Sequence, residues 1–316
     1  MVGVFTTDVV WAEIGDRLVA IDPSTTFVRY APGELVDDTD AARIDVAFLS
    51  HDLLPRWAGS YLKVCLEAPS TQWLHSLSAG VDHPVFRAII DRGIRLTNSS
   101  GAAGPAIAHH VIMSLLALRR DLAGFLADQS ERAWRPRDLG DVEATTVAVI
   151  GMGPIGAETA RLAREFGMRP IGVRRSVRGD EPCETWTFDR LPELLPMAEA
   201  IVLAVPLSED TRQLLDRAAF DLVRPGCHLV NVGRGELVDE EALVDALRTG
   251  QVGAAALDVT TVEPLPADSP LWSMPNVLIT PHTSGATAST RRRVHDMFVA
   301  EFGHFVRGEP FEREIQ

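Results

Sequence analysis

Three polar residues stand just past apolar runs in the second half of the chain: Arg234 after LVNV, Glu263 after ALDV, and His282 after LITP. Their types are complementary. A guanidinium fork can bind a carboxylate and polarise a neighbouring carbonyl, while an imidazolium can protonate the carbonyl oxygen. A carboxylate beside the imidazole favours its charged form and fixes the ring, a part that suits Glu263. Together they fit hydride reduction of a 2-keto acid. Singly, each has a plainer explanation: a surface loop cation, a solvated residue before a proline turn, a capped loop histidine. The joint pattern favours a site.

The elements that must position them can be read from hydrophobic periodicity. Short apolar runs at 147–150, 170–173, 200–204, 228–231, 254–258 and 277–280 alternate with amphipathic stretches, which predicts a doubly wound parallel sheet of six strands. Residues just beyond the carboxyl ends of such strands line one crevice, so Arg234, Glu263 and His282 are expected there. The first strand runs into GMGPIG at 151–156 and then a helical AETARLAREFG. At a strand-to-helix turn, Gly151 permits the tight bend, Gly153 lets backbone approach a pyrophosphate, and Gly156 lets helix and strand pack. Pro154 and Ile155 complete the turn of this dinucleotide-binding motif.

At the end of the next predicted strand, where an acidic residue would hold the ribose hydroxyls of NAD, the chain has Arg174, Arg175 and Ser176. Two guanidinium groups and a hydroxyl suit a 2′-phosphate, so NADP(H) is the expected cofactor and NAD(H) the alternative. The competing reading is a solvated basic loop.

Upstream, apolar segments at 46–49, 62–66, 73–77 and 94–97 predict a first α/β unit of parallel strands, and a long helical pattern begins near Gly104. At 316 residues the chain is longer than most single domains. Two domains are the first expectation. A formal charge of −14 argues against a general nucleic-acid or anionic-membrane binder. Cys65, Cys183 and Cys227 lack disulfide or zinc spacing, and no metal site is expected. Without a basic start followed by an apolar run, or an apolar stretch long enough to span a bilayer, the chain reads as cytoplasmic.

The GMGPIG turn, the NVGRGELVDEEALVDAL block, AALDV with EPLP, and SPLWSMPNVLITPHTSG stand in an order and spacing that resemble the D-isomer-specific 2-hydroxyacid dehydrogenase family, especially its glyoxylate/hydroxypyruvate reductase-like branch. The resemblance covers nearly the whole chain. It implies two Rossmann/flavodoxin-like domains, 1–99 with 285–316 and 100–284, with a cleft between them and a C-terminal helix returning to the first. That return would account for the apolar stripe from Val294 to Val306. It also implies catalytic roles for Arg234, Glu263 and His282, and a loop, SAGVD at 78–82, whose Ser78, Ala79 and Gly80 amides receive the substrate carboxylate. The resemblance further implies that Val205, Pro206, Thr211, Val232, Asp258, Ser284 and Gly285 lie along the cofactor, that two copies pair through the cofactor domain, and that the product is the D-2-hydroxy acid.

One departure is His109, where the family commonly has glutamate. His109 and His110 point to different helix faces and do not suggest a metal pair. Asn98-Ser99-Ser100 matches a glycosylation pattern but reads better as a hinge and helix cap. Glyoxylate and hydroxypyruvate are the leading substrates. Residues 51–54 and Trp272 or Met274 are pocket candidates. The runner-up of another class is a non-catalytic dinucleotide-sensing protein on the same fold. A formate-oxidising site would be expected to replace Glu263, which counts against that chemistry.

Overall fold

The computed structural model describes residues 1–81 and 83–315. Its strands are, in chain order, β1 Gly3–Thr6, β2 Thr26–Arg29, β3 Val46–Leu49, β4 Trp73–Ser76, β5 Arg95–Asn98, β6 Thr146–Ile150, β7 Arg169–Val173, β8 Glu184–Trp186, β9 Ala200–Leu203, β10 Cys227–Asn231, β11 Val252–Leu257, β12 Val277–Ile279 and β13 Glu314–Ile315. The chain divides into two compact units, Met1–Ala102 with Thr287–Gln316, and Ala103–Ala286.

The first unit holds a sheet ordered β13-β5-β4-β3-β1-β2, parallel except for β13, which runs antiparallel to β5. Its parallel part has the flavodoxin-like order. The run at 62–66 is not a strand. It lies in the helix Ala58–Glu67, whose Tyr61, Leu62 and Cys65 are buried while Lys63 and Glu67 pair in solvent. Spacing of one and four residues makes one helical face, and five residues were too few to separate that from a buried strand. β1, β2 and β13 were not anticipated from the sequence. In β1, a Cβ on Gly3 would come within 1.7 Å of the Arg43 carbonyl oxygen, so the tight approach of that backbone requires glycine.

The helix Ala288–Arg307 is capped at its start by Thr287, whose hydroxyl accepts from the Thr290 amide, and ends at Gly308 with φ of 68°. Its buried Val294, Phe298, Val299 and Phe302 pack with Val4, Val10, Ile14, Phe48 and Trp73. Phe298 stacks on Phe48 with ring centroids 4.5 Å apart. A phenylalanine buried in this way is worth about 3–5 kcal/mol against alanine, so the last helix is part of the first unit's core.

The second unit is an all-parallel sheet ordered β12-β11-β10-β9-β6-β7-β8. β8, a seventh strand, was too short and polar to be read from sequence. The strand order reverses between β6 and β9, which puts a ligand crevice at the carboxyl ends of those strands. The helix Gly104–Arg119 packs on the helix Pro154–Glu165, where a Cβ on Gly104 would approach the Pro154 carbonyl oxygen to 3.3 Å. Among the described residues no helix is long and apolar enough to cross a membrane.

Candidate active site

The glycine turn sits at the reversal point of the second sheet. Gly151 has φ of 103°, and a Cβ there would lie 2.5 Å from the Ala204 carbonyl oxygen just past β9. A Cβ on Gly156 would lie 1.7 Å from the Gly151 carbonyl oxygen. Neither position admits a side chain. At Gly153, by contrast, an added Cβ meets nothing within 4 Å, so the exposed backbone at the helix start stands open to an incoming group. With Pro154 and Ile155 beginning the helix, its first amides face that space. This donor set fits a dinucleotide pyrophosphate.

The arginines after β7 differ from one another. Arg174 is mostly buried and donates from a terminal nitrogen to Glu181 at 2.8 Å. The Glu181 carboxylate also accepts the Arg178 and Gly179 amides, and these contacts, the Arg178 amide foremost, hold its carboxyl down at about 2. The sequence has no carboxylate at 173–176, but the loop folds back to supply one from seven residues on. Arg175 and Ser176 are exposed, and among the described residues Arg175 pairs with the equally exposed Asp210 at 2.9 Å. A surface pair of this kind is worth about 0–1 kcal/mol and yields readily to a stronger anion. Glu181 and Asp210 were missed because their proximity is tertiary.

Beyond β9, Val205 is buried and Pro206 exposed. Thr211 turns its hydroxyl into its own loop, donating to the Pro206 carbonyl at 2.8 Å and accepting the Ser208 amide. It shapes that loop through these contacts. Val232 follows β10 and is buried. Next to it, the Asn231 side chain accepts the Gly233 amide and donates to the Arg234 carbonyl, which fixes the backbone from which the Arg234 side chain springs. One guanidinium nitrogen of Arg234 donates to the Gly233 carbonyl at 2.8 Å.

Asp258, just past β11, organises the turn after β12. Its carboxylate accepts the Thr280 hydroxyl at 2.6 Å and the amides of Thr283 and Ser284, while its carbonyl accepts the His282 amide at 2.8 Å. Burial alone would raise its carboxyl, but the hydrogen bonds from Ser284, Thr280 and Thr283 leave it below the ordinary carboxylate range. Those contacts hold His282 at φ of 52°, a left-handed conformation uncommon for a residue with a side chain. His282 Nδ1 lies 2.8 Å from Glu263 Oε2, and the other Glu263 oxygen accepts the Thr260 amide at 3.3 Å. The pair is about half exposed, so the second ring nitrogen can serve a ligand. Ser284 is buried, and a Cβ on Gly285 would press on Ala103 at 3.1 Å. His109 is exposed, whereas His110 Nε2 lies 3.4 Å from the Thr280 hydroxyl.

In the first unit, the loop after β4 carries Ser78, Ala79 and Gly80; Asp82 lies outside the described residues. The Ser78 amide is used locally, donating to the Ser76 hydroxyl at 3.2 Å. Among the described residues, the Ala79 and Gly80 amides have no protein acceptor.

A reversed parallel sheet with a glycine cradle at its switch point, and a paired histidine and glutamate past two of its strands, defines a dinucleotide-dependent oxidoreductase unit. Residues 112–284 match the family described as D-isomer specific 2-hydroxyacid dehydrogenase, NAD binding domain. The chain is 31% identical over 276 residues to the glyoxylate reductase/hydroxypyruvate reductase of Mus musculus, covering 84% of each. A D-isomer specific 2-hydroxyacid dehydrogenase family protein from Aeromonas salmonicida superposes with a TM-score of 0.84 at 31% identity, covering 100% of this chain and 99% of the other. A family member from Xanthobacter autotrophicus Py2, solved with NADPH and MES, does so at 0.79 and 28% identity, with 100% and 98% covered. The chain belongs to the D-isomer specific 2-hydroxyacid dehydrogenase family. It is therefore a nicotinamide-dependent oxidoreductase of two α/β units.

Proposed function

We propose that the protein reduces a small 2-keto acid, glyoxylate or hydroxypyruvate first among them, to the D-2-hydroxy acid with NADP(H) in preference to NAD(H). The observation that carries this reading is the 2.8 Å pair of His282 Nδ1 and Glu263 Oε2 past the carboxyl ends of the sheet that bears the glycine cradle. Reduced nicotinamide, when bound, supplies the hydride for carbon 2 of the substrate. His282 gives the carbonyl oxygen its proton from Nε2, because Nδ1 is held by Glu263. In the reverse direction the same nitrogen takes the proton back. Arg234 binds the substrate carboxylate and polarises the carbonyl. In the first unit, the backbone amides of Ala79 and Gly80 serve a carboxylate, the Ser78 amide being engaged by the Ser76 hydroxyl. Gly151, Gly153 and Gly156, with Pro154 and Ile155, hold the pyrophosphate. Val205, Pro206, Thr211, Val232, Asp258, Ser284 and Gly285 line the cofactor or shape the loops that do. The names of the mouse relative and of the NADPH-bound neighbour support substrate and cofactor class.

The test is steady-state reduction of glyoxylate, hydroxypyruvate, pyruvate and phenylpyruvate with each nucleotide. Configuration must be read from a product such as glycerate, since glycolate has no stereocentre. Rapid, NADPH-preferring turnover to the D product is expected. Tight nucleotide binding with no turnover would favour the sensing role instead.

The two arginines refine the cofactor argument. Arg175→Ala is expected to weaken NADPH about tenfold or more and NADH less than twofold, because it removes a charge-assisted contact that only the 2′-phosphate can use. Arg174→Ala is expected to affect both nucleotides, since it unfastens the loop that Glu181 closes. Fluorescence titration of both variants checks this, and equal losses for Arg175→Ala would remove the 2′-phosphate argument.

Two copies pair through the second unit in this reading. Leu122, Phe125 and Leu126 on one helix of that unit, and Trp134 beyond its end, are exposed apolar residues, Trp134 at 95%, and exposed apolar surface of this kind favours association. Light scattering is expected to give twice the chain mass; a monomer at micromolar concentration would contradict it.

A further inference from the structure

A buried polar chain in the first unit ends on Ser76, the last residue of β4 before the loop that carries Ala79 and Gly80. His75 on β4 is fully buried, with Nδ1 2.7 Å from the Thr97 hydroxyl and Nε2 2.9 Å from the Ser99 hydroxyl. The Ser99 hydroxyl spends its proton on the Ser76 carbonyl at 3.0 Å, so it can only accept from His75. The Nε2 nitrogen therefore bears the hydrogen and Nδ1 accepts from Thr97, whose oxygen in turn accepts the Trp73 indole N–H at 2.8 Å. Burial pushes the His75 imidazole down to about 3, and the ring stays neutral in this tautomer. Every partner is satisfied, and the chain has one direction, from Trp73 to the Ser76 carbonyl.

Two consecutive residues at the end of β5 then hold the carbonyls further along the loop. The Ser99 amide donates to the Ser78 carbonyl at 3.3 Å, and Asn98 Nδ2 donates to the Ala79 carbonyl at 2.7 Å. Asn98 is itself oriented by accepting the Ser100 amide. In a trans peptide the N–H points opposite to the C=O. Fastening the Ser78 and Ala79 carbonyls toward β5 therefore turns the Ala79 and Gly80 N–H groups together to the opposite side. Two successive amides facing one way make a concavity for an anion.

We propose that Asn98 and Ser99, the latter locked by His75, are positioning residues that set the polarity of this loop for the substrate carboxylate. This rests on the reductase reading above. Without the Asn98 amide, the Ala79 peptide can rotate and carry the Gly80 N–H away.

The experiment compares wild type, Asn98→Ala and Ser99→Ala for kcat and KM with glyoxylate, for NADPH affinity and for thermal stability. Asn98→Ala is expected to raise KM about tenfold with kcat within about threefold and NADPH affinity unchanged, as loss of binding common to ground and transition state requires. Ser99→Ala, which keeps its backbone donor, is expected to raise KM about threefold. A purely structural role would lower the melting temperature and leave KM where it was, and unchanged KM in both variants overturns the proposal while the reductase reading stands. If Asn98→Ala fails to fold, the KM of Ser99→Ala decides by the same criterion. A wild type that turns over no 2-keto acid overturns the reductase reading and this assignment with it.

Discussion

Replacing His282 with alanine is expected to lower keto-acid reduction by about 10²- to 10⁴-fold while NADPH binds within about twofold of wild type. That range is what a positioned general acid contributes. The imidazole suits the role through its surroundings. Glu263 accepts a hydrogen bond from Nδ1 at 2.8 Å, which orients the ring and leaves Nε2 as the atom that exchanges a proton with substrate. The main chain beneath is held by Asp258, through its carbonyl and through carboxylate contacts to Thr280, Thr283 and Ser284. Alanine at 282 leaves those backbone contacts in place, so the loss falls on chemistry and not on the cofactor side of the turn. Steady-state rates at neutral pH with NADPH titration in parallel check this; preserved turnover would remove His282 as proton donor.

Arg234→Gln is expected to cost about 10²- to 10³-fold in kcat/KM, the size seen when one fixed donor to a developing oxyanion is lost. Glutamine retains a donor but neither the charge nor the forked geometry. Arg234 starts from a backbone locked by the Asn231 side chain, and one of its nitrogens is tied to the Gly233 carbonyl at 2.8 Å. One guanidinium nitrogen is thus held by its own loop before a substrate arrives, which lowers the entropic cost of using it. Arg234→Lys keeps the charge but not the fork and is expected to recover only part of the loss. Values within twofold of wild type for Arg234→Gln would mean that the carboxylate is bound elsewhere.

Much of this arrangement was legible in the residues because it depends on local constraints. The tight turn at Gly151 and the close packing at Gly156 are properties of single positions, and a glycine triplet between a β-branched run and a helical one announces them. The alternation that marked the six other strands of the second sheet has the same local origin. The types of Glu263 and His282 were complementary before their contact was visible. Other features depend on where distant backbone returns. Glu181 reaches Arg174 only because the loop after β7 reverses, so a window of four residues could not show that one guanidinium of the supposed phosphate pair is already engaged. The helix Ala58–Glu67 was misread because Leu62 to Leu66 is apolar at nearly every position, leaving its flanking residues to reveal the period. His75 gave no signal at all, since a histidine in a β-rich run acquires meaning only from Thr97 on the next strand and Ser99 just past its end.

The central claim is that hydride passes from reduced nicotinamide to carbon 2 of a 2-keto acid, and isotope transfer tests it most directly. Purified protein would be given hydroxypyruvate and NADPH carrying deuterium at the transferable position of nicotinamide carbon 4, in ordinary water. The account predicts D-glycerate with deuterium on carbon 2 and equimolar oxidised cofactor. Glycerate without deuterium, or cofactor bound and unchanged across the whole keto-acid panel, would contradict it.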